Sequence, residues 1–189
     1  MEEDNTKLIL EASYQPQREA EATLAKRGYK YDTDLSTMEN KVFYNPETNK
    51  PYIAYRGSVR VSDWLGNAKL ALGLNDAEAE KRIQLAEKVK SKYGQSADIY
   101  GHSRGGFLAE QAGERYGGKV ITYNKAALPS DVFKPIRKEQ TDIRTSPDIV
   151  SAFSIFQKGG QKKTIKAPVN TKTIFSSALE AHSLKSLNA

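Results

Sequence analysis

The 189-residue chain has no cysteine, two histidines, one tryptophan, and no apolar run approaching the ~20 residues a membrane-spanning helix needs. Each shortage excludes something. Without cysteine there are no disulfides, thiolate metal sites or thiol nucleophiles. Two histidines argue against a histidine-rich metal centre, so no metal or cofactor is expected. The start, "MEEDNTKLILEASYQ", has acidic flanks, no cationic n-region and no long apolar run, unlike a signal peptide. An intracellular, cytoplasmic setting is therefore the default expectation.

What is present is a low but globular hydrophobic content of 38% and a net charge of +6. A basic balance admits an anionic partner such as nucleic acid, an anionic membrane surface or a phosphorylated substrate. The lysines are mostly scattered, which reads as solvated surface. There is no recognition motif, so nucleic-acid binding is not expected. The length suits one domain with a sizeable core, and there is no internal repeat or low-complexity linker.

Periodicity places the elements. "NTKLILEASY" and "PQREAEATLAKRG" read as helices, with Pro16 in a tolerated first-turn position and Gly28 as the stop. Val42–Tyr44 and Tyr52–Tyr55 flank a Pro/Asn turn and predict a β-hairpin. In "NDAEAEKRIQLAEKVKSKYG", Ala79, Ile83, Ala86 and Tyr93 fall at helical spacing, with Asn75 or Asp76 as cap and Gly94 as stop. "ADIY" is β-prone, "FLAEQAGERYGG" puts Leu108, Ala109, Ala112 and Tyr116 on one helical face, and "KVITY" and "TDIRT" read as strands. The alternation predicts an α/β fold with a mostly parallel sheet flanked by helices.

Between the strand "ADIY" and the following helix lies "GHSRGG". Gly101-His102-Ser103-Arg104-Gly105 is G-x-S-x-G in the strand-to-helix context that a nucleophile elbow requires. Such a turn strains the serine backbone and projects its Oγ above the sheet edge, and Gly101 and Gly105 have no Cβ to obstruct it. The new helix aims its N-terminal amides at developing negative charge.

A serine hydroxyl needs a base within hydrogen-bond reach. His102 adjoins the serine and diverges from Oγ into packing or the site rim, which leaves His182, in "LEAHSL". The imidazole then needs an acid to fix its tautomer. Asp131, Asp142, Asp148, Glu110, Glu114 and Glu139 lie between Ser103 and His182. Asp148 is taken first because it follows the strand "TDIRT" at the C-terminal sheet edge, where open α/β sheets place their sites. Asp131 is second. Two N–H donors complete an oxyanion hole, at ~3 kcal/mol each. One is the amide of Arg104, the other that of Ser58 in "YIAYRGSVRVSDWLGN".

"YIAYRGS…DWLGN", "IYGHSRGGFLAEQAG", "IRTSPDIVS" and "AHSL" together resemble the class 3 lipase group of α/β-hydrolases, over roughly residues 52–189. The resemblance implies a compact α/β-hydrolase-like fold and carboxylic ester hydrolysis through an acyl-enzyme. Ser103 is its nucleophile, Asp148 its orienting acid and His182 its base, with Ser58 and Arg104 as oxyanion donors. His102 and Trp64 are the candidates for substrate contact. The expected organisation is one domain, residues 1–189, with a helical extension over 1–40 and a catalytic core over 41–189. Its partner is an ester or lipid substrate.

The chain departs from the family in having Arg104 where leucine is usual, and in lacking the disulfides common in secreted members. The stretch "LGNAKLALGL" between Trp64 and Asn75 is short enough for a small flap only, which predicts little interfacial activation. Lys158, Lys162, Lys163 and Lys166 in "QKGGQKKTIK" suggest peripheral contact with an anionic membrane surface and phospholipase-like behaviour. The plainer reading is a solvated hairpin tip at Gly159-Gly160. A catalytically inactive hydrolase-like domain that binds lipid or protein is the alternative from another functional class.

Overall fold

The computed structural model describes residues 2–57, 77–127, 129–146, 151 and 156–166. In chain order these form α1 (Glu2–Ala12), α2 (Gln17–Ala25), β1 (Lys30–Tyr31), β2 (Asn40–Tyr44) and β3 (Pro51–Tyr55). There follow α3 (Ala77–Tyr93), β4 (Asp98–His102), α4 (Arg104–Tyr116), β5 (Val120–Tyr123), a 3-10 turn (Pro129–Phe133), β6 (Ile136–Ser146) and β7 (Gly159–Lys166). The strands make one sheet in sequence order, β1 through β7. β1, β2 and β3 pair antiparallel, and every pair from β3 onward is parallel. The α/β class, the N-terminal helices and the hairpin are as the sequence predicts.

The central strands β2 to β5 form a middle layer because they are buried on both faces, as strands covered by helices on both sides must be. The two-residue period sorts the side chains. Val42, Ile53, Tyr55, Ile99 and Val120 join the core that holds Ile83 and Ala86 of α3 with Leu108, Ala109 and Ala112 of α4. Their neighbours Phe43, Ala54, Tyr100, Ile121 and Tyr123 face the other way, onto Ile9 and Leu10 of α1 and Ala20 and Leu24 of α2. In α3 the charges suit the helix dipole, with Glu78 and Glu80 in the first turn and Lys90 and Lys92 in the last.

The structure corrects three local expectations. Within the stretch expected to be helical extension, Lys30–Tyr31 adds a short edge strand to β2. β6 begins at Ile136, well before the predicted "TDIRT". The basic stretch has no hairpin tip at Gly159-Gly160, because both glycines open β7, which runs on to Lys166 in parallel pairing with β6. Its glycines serve close approach instead. Gly159 has φ +83°, and a Cβ there would stand 2.6 Å from the Ile136 carbonyl oxygen. Lysines and glutamine concealed this strand, since it is exposed along nearly its whole length.

Candidate active site

A single residue separates β4 from α4. Ser103 turns the chain with φ 56° and ψ −124°, a conformation that costs a residue with a Cβ ~1–3 kcal/mol and persists only where its surroundings dictate it. Here they do. The Ser103 N–H donates to the Tyr123 carbonyl at 3.1 Å, and the Ser103 carbonyl accepts from the amides of Gly106 (3.0 Å), Phe107 (3.3 Å) and Ala126 (3.0 Å). The flanking glycines are there for space: a Cβ on Gly101 would run into the Gly105 carbonyl, and one on Gly105 into the Tyr55 carbonyl. Ser103 is 5% exposed, so charge developing on or near it depends on protein donors more than on water. Arg104 opens α4, where backbone N–H groups have no intrahelical partner.

β3 lies beside β4 in parallel, with Tyr55 opposite Gly101, so the loop leaving β3 emerges at the same edge as the serine turn. That loop is pinned from several sides. The Arg56 amide donates to the Glu39 carbonyl at 2.9 Å. Arg82, reaching from α3, donates through Nη2 to the Arg56 carbonyl (2.8 Å) and the Glu39 carbonyl (3.0 Å), and through Nε to Asn40 Oδ1 (2.8 Å). Its own carbonyl accepts from the Tyr55 hydroxyl at 2.8 Å. Burial, with the charge of Arg104 nearby, lowers Arg82 to about 10, which leaves it cationic at neutral pH. The Gly57 amide donates to the Tyr14 hydroxyl at 3.0 Å.

Tyr14, in the turn between α1 and α2, also meets the serine turn. Its hydroxyl lies 2.6 Å from His102 Nδ1. The His102 ring is buried between Tyr14, edge-on at 5.7 Å, and Tyr123, stacked at 5.7 Å. Strand alternation puts residue 102 on the same face as Tyr100, toward α1 and α2, and so away from Ser103 as expected. Burial pushes the Tyr14 phenol up to about 12, and it stays protonated at any physiological pH.

Of the residues singled out from the sequence, Ser103, His102 and Arg104 are thus placed at one sheet edge. Asp148, His182, Ser58 and Trp64 lie outside the described residues, as does the stretch between Trp64 and Asn75. β6 ends at Ser146 on the edge where β4 and β5 end, as its register with β5 requires. Asp131 is buried in the 3-10 turn and pairs with Lys134 at 3.2 Å. Two other acids are committed elsewhere. Lys125 Nζ, 1% exposed, contacts Glu110 Oε1 (2.7 Å), Asp142 Oδ2 (2.9 Å) and Gln157 Oε1 (2.9 Å) under α4. Glu114 and Glu139 are exposed.

Sequence reasoning missed Tyr14 and Arg82. Arg82 was findable, since it falls on the buried stripe Ala79, Ile83 and Ala86 at helical spacing, where a charge calls for an explanation. Tyr14 gives no such signal, because its partners are 43 and 88 residues away in sequence. Among the described residues no group of His, Asp and Glu is arranged to hold a metal ion, and no helix is long and apolar enough to cross a membrane.

Comparison with known proteins identifies the family and the fold. The family model of the Tle-like phospholipase domain matches residues 7–161. An extracellular phospholipase A1 of Serratia liquefaciens is 33% identical over 81 residues, which are 42% of this chain and 25% of that protein. The chain thus spans about a quarter of that relative's length. The crystal structure of a mutant of MDLA from Penicillium cyclopium superposes with a TM-score of 0.54 at 17% identity, covering 93% of this chain and 84% of that one. A fungal lipase in complex with an inhibitor superposes at 0.53 and 15% identity, covering 85% and 78%. The lipase-like α/β fold expected from the sequence is therefore the fold observed.

Proposed function

The chain belongs to the family of Tle-like phospholipase domains, and from that membership we propose that it is a serine hydrolase that cleaves carboxylic esters of phospholipids or related lipids. The observation that carries the reading is Ser103, held at positive φ between β4 and α4 with the loop after β3 packed against it. This is the geometry a nucleophile and its oxyanion donors need.

In this mechanism His182 takes the Ser103 hydroxyl proton as Oγ attacks the acyl carbon, and Asp148 holds the imidazole and balances its charge. The carbonyl oxygen becomes an oxyanion received by the amides of Arg104 and Ser58, at ~3 kcal/mol per donor. His182 then protonates the departing alcohol. Water, deprotonated by the same histidine, releases the fatty acid and restores Ser103. Trp64 is the candidate for contact with the acyl group, since the His102 ring is buried between Tyr14 and Tyr123 and turned away from Ser103. No metal or cofactor enters the scheme.

The exposed lysines at positions 158, 162, 163 and 166, on and just before β7, favour a negatively charged lipid surface as the place where substrate is met. Their attraction would be screened by salt.

Fluorophosphonate labelling tests the reading directly. Wild-type protein is expected to label, and Ser103→Ala, His182→Ala and Asp148→Ala to lose labelling or slow it severely. Fatty-acid release from anionic phosphatidylglycerol vesicles is then compared with release from phosphatidylcholine vesicles and from a p-nitrophenyl ester series. A folded wild type that neither labels nor releases acid leaves a lipid- or protein-binding domain in place of an enzyme.

A further inference from the structure

One hydroxyl joins the two halves of the candidate site. Tyr14 touches both the loop after β3, through the Gly57 amide at 3.0 Å, and the serine turn, through His102 Nδ1 at 2.6 Å. Arg82 and the Glu39 carbonyl hold that loop as well, through the Arg56 carbonyl and amide. Space confirms how close the three segments come. A Cβ on Gly57 would stand 2.6 Å from the Tyr14 hydroxyl, 2.6 Å from the His102 carbonyl oxygen and 3.0 Å from Ser103 Cβ. The Arg56 guanidinium lies over the Tyr14 ring, 5.8 Å from its centre.

The proton count fixes the direction of the bonds. An amide can only donate, so Gly57 fills one lone pair of the Tyr14 oxygen. The hydroxyl proton, in a buried setting, must itself have an acceptor, and His102 Nδ1 is at donating distance. The chain of donation therefore runs from Gly57 N–H to Tyr14 O–H to His102 Nδ1. It places the imidazole proton on Nε2.

We propose that Tyr14 is a positioning residue for the hydrolysis, its hydroxyl bolting the loop that bears one oxyanion donor to the turn that bears the nucleophile and the other. The inference rests on the hydrolase reading of Ser103. Ser58 directly follows Gly57 and Arg104 directly follows Ser103. In the proposed mechanism, the way Gly57 sits on the turn therefore bears on how the two donors act together. Releasing the bolt lets the loop drift against the turn, which raises the barrier to chemistry without removing any group that binds substrate. It also makes the α1–α2 turn a working part of the site, not an appendage to the sheet.

Tyr14→Phe keeps the ring and deletes the bolt. With a p-nitrophenyl ester its kcat is expected to fall about 10- to 100-fold, while KM stays within about twofold. Replacing Tyr14 with 3-fluorotyrosine keeps the hydroxyl and should keep turnover, which separates the hydrogen bonds from the packing of the ring. Asp32→Asn, a destabilising change remote from Ser103, serves as the control for a general loss of stability and should leave kcat unchanged.

NMR reads the bolt without any turnover: the His102 Nδ1 resonance should be that of an acceptor nitrogen and the Gly57 amide should be protected from exchange, both changing in Tyr14→Phe. Wild-type kcat in Tyr14→Phe overturns the proposal. So does a wild-type His102 protonated on Nδ1, or an unprotected Gly57 amide, even if the phenylalanine variant fails to fold. A wild type that does not label with fluorophosphonate overturns the hydrolase reading and the catalytic role with it, while the NMR result still decides whether the hydroxyl joins loop and turn.

Discussion

Gly57 and Ser103 are packed so closely that a β-carbon added to the first would stand 3.0 Å from the β-carbon of the second. The contact unites two segments from different strands, and it is tight because the His102 carbonyl oxygen lies at 2.6 Å from the same point. Neither a backbone carbonyl nor a Cβ can swing aside as the end of a long side chain can.

Gly57→Ala should therefore shift backbone. Overpacking of this kind costs ~1–3 kcal/mol, or roughly 2–4 °C in Tm per kcal/mol for a chain of this size. The larger effect is expected in kcat, about 10- to 100-fold down, because the loop is lifted off the turn by a fraction of an ångström. Calorimetry and ester turnover measured on one preparation check this. Unchanged kcat with lowered Tm would show that the contact serves the fold alone.

Ser103 carries backbone strain that in the proposed mechanism serves reactivity and not the stability of the chain. At φ 56° and ψ −124° a glycine is relaxed where a serine is not, a gain of ~1–3 kcal/mol offset by the ~0.5–1 kcal/mol a glycine loses in chain entropy. Ser103→Gly should raise Tm by several degrees while abolishing fluorophosphonate labelling. Ser103→Ala should abolish labelling too, without the rise, since alanine keeps the Cβ. Equal melting temperatures in the two variants would show that no strain is stored at the turn.

Beneath α4, Lys125 holds together two buried carboxylates, Glu110 and Asp142. Burial works to lower the lysine, but Asp142 and Glu110 outweigh it and keep the ammonium above the usual lysine range. Burial also raises Glu110, in spite of Lys125. Lys125→Met would leave two like charges buried together, at ~3–5 kcal/mol near neutral pH. Glu110, which burial already raises, then loses the ammonium that works to lower it and is raised further above its unfolded value. Folding takes up protons, and the penalty shrinks as pH falls through the raised value. Urea unfolding of wild type and variant should show a larger stability gap at pH 8 than at pH 5. Adding Glu110→Gln and Asp142→Asn should restore most of the loss. The cluster also matters to the site, since Ala126, next in the chain, donates to the Ser103 carbonyl.

What the sequence disclosed about this molecule follows the range of the forces involved. Helices α3 and α4, the hairpin and the elbow are written in periodicity and in glycines only a few residues apart, and these were legible. β7 was not, because exposed lysines and glutamine look like loop when the only apolar signal is one partly buried Ile165. β1 is too short to show a pattern. His102 could be placed by alternation from Tyr100, but the residue that meets it, Tyr14, could not. Nothing local in "EASYQ" tells that a hydroxyl there closes on a glycine 43 positions away. Buried polar contacts between distant segments are the part of a site that spacing does not encode.

Asp32 offers a stability test that is independent of the chemistry at Ser103. It sits in the loop after β1, buried, and accepts from the Asp34 amide (3.1 Å), the Leu35 amide (3.2 Å), the Tyr93 hydroxyl (2.7 Å) and Lys92 Nζ (2.8 Å). Burial works to raise its carboxyl, yet these partners outweigh it and hold it below the usual carboxylate range. They tie the loop of the antiparallel edge to the last turn of α3. A depressed folded pKa means stability that is fully present above the unfolded value of 3.8 and is lost as pH falls through the lower, folded one. Asp32→Asn removes the charge but keeps the shape. At pH 7 it should cost about 2 kcal/mol, the scale of hydrogen bonds to a charged group discounted for the partly exposed lysine. Denaturant unfolding followed from pH 7 down to pH 3 should show the two proteins converging below about pH 4, near the ordinary range of aspartate. A gap that stays constant over that interval would mean the bonds hold Asp32 equally well when it is neutral, and that packing alone fastens this edge of the sheet.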